Sequence, residues 1–192
     1  MTLIYLHGFA SAGGGTKCQQ LRAMYPGLNV VSPTIHPDPE IGVGDVRRLI
    51  EGTKGPLLLI GTSLGGFYAL YFAAVLGIPS ISINPVTRTS VMSKRLGENT
   101  NWETGSKFFF TEQHLAYLGK MEEAVLAARK NPFCFNVVVG GRDESLTYEY
   151  LDTLVPDRRT CSFFAEEPHR FPNLGLIKPL LDEYIKIVDT IT

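Results

Sequence analysis

Cysteine is scarce in this 192-residue chain: Cys18, Cys134 and Cys161 lie far apart, are odd in number and include no C-x-x-C pair. That excludes a disulfide framework and a zinc site, and it fits free, buried thiols in a reducing compartment, with two of them in expected core strands. Neither sign of charge dominates. The 18 Lys and Arg against 19 Asp and Glu leave a formal net charge of −1, so nothing points to nucleic acid or an anionic membrane surface as a partner. No apolar run approaches the length of a membrane span. The N-terminus shows neither a basic flank nor a long apolar segment with a small-residue cleavage site, and the chain reads as cytoplasmic. Repeats and low-complexity segments are missing too. The expectation is a single domain over 1–192, long enough to bury a core without disulfides or metals.

What the chain does have is apolar runs separated by helical patterns. Strands are expected at about 2–6, 28–31, 56–61, 79–84, 133–139 and 160–164, and helices near 15–25, 39–52, 65–77, 145–154 and 173–190, the last bending or beginning in earnest near Pro179. The strands are mostly continuous rather than alternating, as burial on both faces of a parallel sheet requires. The fold class is therefore α/β, in three layers. Residues 85–132 are far more than one crossover helix needs and form a candidate lid. They carry Trp102, the only tryptophan, with Phe108, Phe109, Phe110 and Tyr117, which either wall a pocket or pack the lid onto the body.

The sharpest local signal is Gly61-Thr62-Ser63-Leu64-Gly65-Gly66, placed directly after the run Pro56–Ile60 and directly before the helical pattern from Phe67. The G-x-S-x-G string is weak alone, but strand, sharp turn and helix around a serine are what lift a hydroxyl clear of a sheet. Upstream, Thr2–Leu6 runs into His7-Gly8-Phe9, a His-Gly loop suited to an oxyanion hole. Its donors are assigned to the backbone N–H groups of Phe9 and Leu64. Downstream, Asp143 follows the strand 133–139 and His169 follows the strand 160–164. Ser63, Asp143, His169 is the nucleophile, acid, base order of the α/β hydrolases.

Each candidate has a plainer rival. Ser63 would serve as a helix N-cap. His7 reads as a structural residue of the first loop, not as a base. Asp143 competes with Glu144, and with Asp152 and Asp157, which read as solvated. His169 competes with His36, in a Pro-rich turn, and with His114, in a surface or lid helix. The run Gly13-Gly14-Gly15-Thr16-Lys17 is no P-loop, because Lys17 follows Thr16 instead of preceding a Ser or Thr; it reads as a mobile loop over the cleft.

Tyr5-Leu6-His7-Gly8-Phe9, Gly61 through Ala69, Asn84-Pro85 with Arg88, Thr104-Gly105 and His169-x-Phe171 together resemble the small bacterial YqiA/YcfP-type esterases of the α/β-hydrolase superfamily. The resemblance implies a minimal hydrolase with sheet order 2-1-3-4-5-6, no cofactor, and hydrolysis of short acyl esters, with nucleophile, acid and base at Ser63, Asp143 and His169. Arg142 before the acid and Pro168-His169-Arg170 depart from the usual pattern. Pocket candidates are His7, Gly8, Trp102 and Arg170; Arg88 and Arg170 are each candidates to meet a substrate carboxylate, the plainer reading being that an exposed arginine is merely solvated. The substrate expected is a small-molecule ester or thioester. An acyl-thioesterase using the same three residues, and a non-catalytic binding protein on a hydrolase scaffold, are the alternatives.

Overall fold

Four apolar runs supply the centre of a six-stranded sheet: β1 (Thr2–Leu6), β3 (Leu57–Thr62), β4 (Ser80–Ile83) and β7 (Phe135–Arg142). The computed structural model describes residues 1–128, 135–155 and 160–191. The edges are β2 (Asn29–Val31) and β8 (Cys161–Pro168), and the order β2-β1-β3-β4-β7-β8, parallel throughout, is the one expected. Within a strand, successive side chains enter different cores. Ile4, Leu6 and Leu59 join the layer containing α2 (Pro39–Gly52), α3 (Leu64–Leu76) and α4 (Glu112–Ala128). Leu3, Tyr5, Leu58 and Ile60 join the opposite layer with α1 (Thr16–Met24) and α6 (Lys178–Ile191). Both faces are covered, which is why β1 and β3 carry no polar alternation.

Local chemistry sets the helix boundaries. The Asp38 carboxylate caps α2 by accepting from the Glu40 N–H at 2.9 Å, with Pro39 at the first helical position. Gly77, at φ 70°, closes α3 in a left-handed conformation. Inside α3, Phe67 and Phe72 have no exposed surface; burying each is worth about 1.5–3 kcal/mol. Leu174–Ile177 form a 3-10 turn before α6, and Pro179 falls in the first turn of that helix, where its missing N–H costs nothing.

Several expectations are corrected. The helix foreseen over 145–154 shrinks to α5 (Leu151–Leu154), because the Asp143 carboxylate takes the N–H groups of Ser145 and Leu146 into a turn. Strand β8 is half exposed along its length, since an edge strand has a partner on one side only. Cys18 is buried and free in α1, whereas Cys161 is only half-buried at the start of that edge strand; Cys134, Pro156 and Asp157 lie outside the described residues. Residues 85–128 hold a 3-10 segment (Thr89–Arg95), the antiparallel hairpin β5 (Gly97–Thr100) and β6 (Lys107–Phe110), and α4; the remainder of the candidate lid, 129–132, is not described. Among the described residues no helix is long and apolar enough to cross a membrane.

The register aligns Leu6 with Gly61, Thr62 with Ile83 and Ile83 with Val138. The segments after β1, β3, β4 and β7 therefore emerge side by side at the carboxyl end of the sheet, where ligands of open α/β sheets bind.

Candidate active site

Ser63 joins β3 to α3 at φ 58° and ψ −121°, a backbone state that costs an L-residue about 1–3 kcal/mol. Three backbone hydrogen bonds hold it there: its N–H donates to the Ile83 carbonyl at 2.9 Å, and its carbonyl accepts from Phe67 at 3.0 Å and Val86 at 3.2 Å. The flanking glycines are required by closeness. A Cβ at Gly61 would lie 2.1 Å from the Gly65 carbonyl oxygen, and one at Gly65 would lie 2.2 Å from that of Leu6. The Ser63 side chain does not cap α3. Its hydroxyl instead donates to Nε2 of His169 at 3.0 Å.

On the other edge of that ring, Nδ1–H donates to Oδ2 of Asp143 at 2.8 Å. The imidazole is 17 % exposed and the carboxylate side chain 2 %. Burial pushes the Asp143 carboxyl up, but hydrogen bonds from His169, the Tyr148 hydroxyl and the Leu146 and Ser145 N–H groups outweigh it and hold the group below the ordinary range. Asp143 is thus an anion that fixes the tautomer of the ring. Burial, and then the Asp143 carboxylate, push the Tyr148 phenol well above its ordinary value, so it remains a donor. Glu144 accepts the backbone N–H of His169 at 3.1 Å and does not meet the ring. Asp152 is exposed on α5.

Asn84, fully buried at φ 43°, ties these segments together. Its Oδ1 accepts from the Gly140 N–H at 2.6 Å, and its Nδ2 donates to the carbonyls of Pro168 and His169, both at 3.0 Å. One carboxamide therefore links the end of β4 to the two segments that carry Asp143 and His169. The signal in the sequence was a polar residue closing a buried strand before Pro85; Tyr148 gave none.

The first loop lies against the serine: a Cβ at Gly8 would be 3.4 Å from Ser63 Cβ. His7 is committed at both nitrogens, Nδ1–H donating to the Gly8 carbonyl at 2.8 Å and Nε2 accepting the Ile35 N–H at 2.9 Å. Burial holds it below the ordinary histidine range, so it is a neutral brace of the loop. The Phe9 N–H, and the Leu64 N–H in the first turn of α3, donate to no acceptor among the described residues. The arrangement has the parts for nucleophilic chemistry: a hydroxyl on an imidazole, a carboxylate behind it, and nearby donors for developing negative charge.

A cleft of about 1050 Å³ opens over Ser63 and His169, and His7, Gly8, Trp102 and Arg170 all line it. Lys17, at the end of the loop expected over the cleft, and Arg95, not singled out from the sequence, line it as well. A smaller cavity of about 330 Å³ shares His7 to Ser11 and adds Ile35, Leu64, Tyr68 and Phe108. The hairpin is fastened to this loop by the Trp102 N–H on the Ala10 carbonyl at 3.0 Å and by the Asn101 carboxamide on the Ser11 carbonyl at 2.8 Å. Phe108 and Phe110 pack edge-on against Phe9, each at 5.4 Å, while Trp102 is 60 % exposed. The Gly13–Gly15 run is held by N–H bonds from Gly13 to Thr34 and from Gly14 to Ser32. His36 lines the smaller cavity, and His114 pairs with Asp38 at 3.4 Å. Arg88 stacks on Tyr150 at 4.1 Å and lines neither cavity.

Comparison with known proteins matches residues 2–172 to the family described as Uncharacterised protein family (UPF0227). The UPF0227 protein of Shewanella loihica (strain ATCC BAA-1088 / PV-4) is 33% identical over 89 residues, covering 43% of this chain and 49% of the relative. The chain spans about half the length of the curated relatives it matches. Among solved structures, Est1E from Butyrivibrio proteoclasticus superposes with a TM-score of 0.73 at 15% identity, covering 98% of this chain and 88% of that one. The esterase domain from a Rhodothermus marinus protein gives 0.66 at 19%, covering 95% and 85%. At these identities the likeness shows the fold, that of the α/β hydrolases.

Proposed function

We propose that this chain, which belongs to the UPF0227 family, is a serine hydrolase that cleaves carboxylic esters of short acyl chains. The observation that carries the reading is the unbroken run Ser63 Oγ, His169 Nε2, His169 Nδ1, Asp143 Oδ2, at 3.0 and 2.8 Å, hung on a positive-φ serine between a strand and a helix. That Est1E and the Rhodothermus marinus domain are described as esterases supports it further.

In this mechanism His169 Nε2 takes the hydroxyl proton as Ser63 Oγ attacks the ester carbonyl, and Asp143 stabilises the imidazolium that forms. The Phe9 and Leu64 N–H groups receive the oxyanion; losing one such donor costs about a hundred- to a thousandfold in turnover. Collapse expels the alcohol, which takes the proton from His169, and leaves the acyl group on Ser63. Water, deprotonated by the same nitrogen, then releases the acid.

The test is covalent labelling with a fluorophosphonate probe. Wild type labels and Ser63→Ala does not; equal labelling of the two overturns the assignment. A panel of p-nitrophenyl esters of increasing chain length beside acyl-thioesters then ranks the substrates, with short esters expected to turn over fastest.

A further inference from the structure

Lys17 and Arg170 are two cations on the wall of the cleft that contains Ser63 and His169. Neither forms an ion pair with a carboxylate among the described residues, although the cleft also contains three carboxylates. Each of those is engaged elsewhere: Glu98 with Lys107 at 2.8 Å, Glu103 with the Ser11 hydroxyl at 3.2 Å, and Glu144 with the His169 N–H at 3.1 Å. The third cation of the cleft, Arg95, lies over the Phe9 ring at 5.9 Å. Arg170 is positioned by Trp102, with its guanidinium carbon 5.2 Å from the indole centre. Lys17 is drawn out of water, and this, followed by repulsion from Arg170, depresses its pKa. A partly desolvated ammonium beside a second cation is costly until an anion arrives.

Direction follows from the chemistry of the proposed reaction. The expelled oxygen must take its proton from His169 Nε2, so the leaving group lies on the His169 side of the scissile carbonyl. Arg170 is the next residue in the chain, and Lys17 is close enough to it to feel its charge. The smaller, more apolar cavity is lined by Phe9, Leu64 and Phe108 and by none of His169, Lys17 and Arg170. We infer that Lys17 and Arg170 bind an anionic group, carboxylate or phosphate monoester, carried by the leaving alcohol of the substrate. This rests on the esterase reading above and adds to it the class of ester that is preferred.

The experiment compares 4-acetoxybenzoate, whose leaving phenol bears a carboxylate, with its uncharged analogue 4-acetoxybenzamide. Wild type is expected to favour the anionic ester in kcat/KM. Lys17→Met and Arg170→Gln each lower the anionic-to-neutral ratio by about ten- to a hundredfold, the range of a hydrogen bond to a charged group. Lys17→Arg, which keeps the charge, retains the preference. A ratio that none of these variants moves overturns the inference while leaving the esterase reading intact, because the neutral ester is still hydrolysed. Failure to hydrolyse either ester, together with no Ser63 labelling, overturns the esterase reading itself. A preference that appears only with mono-p-nitrophenyl succinate over p-nitrophenyl butyrate puts the anion on the acyl side and overturns the placement. Adding phosphate-bearing and carboxylate-bearing leaving groups of similar size as competitors identifies which anion fits better.

Discussion

Asn84 grips His169 by its main chain: the buried carboxamide donates at 3.0 Å to the carbonyl oxygen of the residue whose ring meets Ser63. The same nitrogen holds Pro168, and the amide oxygen takes the Gly140 N–H, so this side chain sets the distance between the two segments bearing Asp143 and His169. Asn84→Ala leaves one buried N–H and two half-buried carbonyls without this partner. Destabilisation by about 2–4 kcal/mol is expected, at about 1–3 kcal/mol for each buried group left unsatisfied with partial rescue by water. The urea midpoint reads it, and a fall in kcat that exceeds any change in KM separates loss of alignment from loss of binding. An unchanged midpoint rules out the brace.

Tyr148 donates to the same carboxylate oxygen that receives His169. Because the folded-state pKa of Asp143 is depressed, the unfolded chain binds more protons than the folded one as the pH falls below about 4. The contribution to stability is therefore complete above that pH and lost as pH falls through the folded value. Tyr148→Phe removes one donor, raises the Asp143 pKa and shrinks the contribution. Unfolding curves at pH 7 and pH 3 should differ less in the variant than in wild type; an equal difference refutes the coupling.

His7 gives a second acid response at higher pH. Its pKa is held down by burial, and Nε2 must stay unprotonated to accept the Ile35 N–H. Below about pH 6.5 the unfolded chain takes up a proton that the folded chain resists, so stability is present above that pH and falls as the solution is acidified. His7→Leu is less stable at pH 7.5 but should lose less on going to pH 5. Parallel losses in the two proteins would show that some other group carries the acid sensitivity.

Gly65→Ala places a methyl group 2.2 Å from the Leu6 carbonyl oxygen and 2.4 Å from that of His7. Backbone on both sides leaves nowhere to yield, and more than about 3 kcal/mol of destabilisation is expected, at the severe end of single substitutions. Gly27→Ala, where an added Cβ meets nothing within 4 Å, serves as the control and should stay within about 0.5 kcal/mol. Thermal melts of the two variants decide it.

How much could be read from the chain depended on how local each determinant is. Gly61, Ser63 and Gly65 announce their turn because the constraint acts within five residues, between a strand and a helix already marked by composition. The parallel sheet was legible from the unbroken apolar runs of β1, β3 and β4. Asp143 and His169 were singled out by their order after strands, and the structure hydrogen-bonds His169 to both Asp143 and Ser63. The shortened α5 was missed because Asp143 spends its second oxygen on the backbone of Ser145 and Leu146, a competition that helical periodicity does not register. The β5–β6 hairpin escaped because Gly97–Thr100 is mostly exposed and polar, without the alternation that marks a half-buried strand. Asn84 and Tyr148 act on partners that only the folded chain brings near.

Trp102 and Asn101 fasten the hairpin to the carbonyls of Ala10 and Ser11, immediately after Phe9, and Ala10 itself sits at φ 55°. The hairpin that walls the cleft and the loop that lies against Ser63 are therefore one mechanical piece. Trimming residues 97–110 to widen the mouth would slacken the same turn that carries Phe9, so the width of the cleft and the shape of the loop beside Ser63 cannot be adjusted separately from that side.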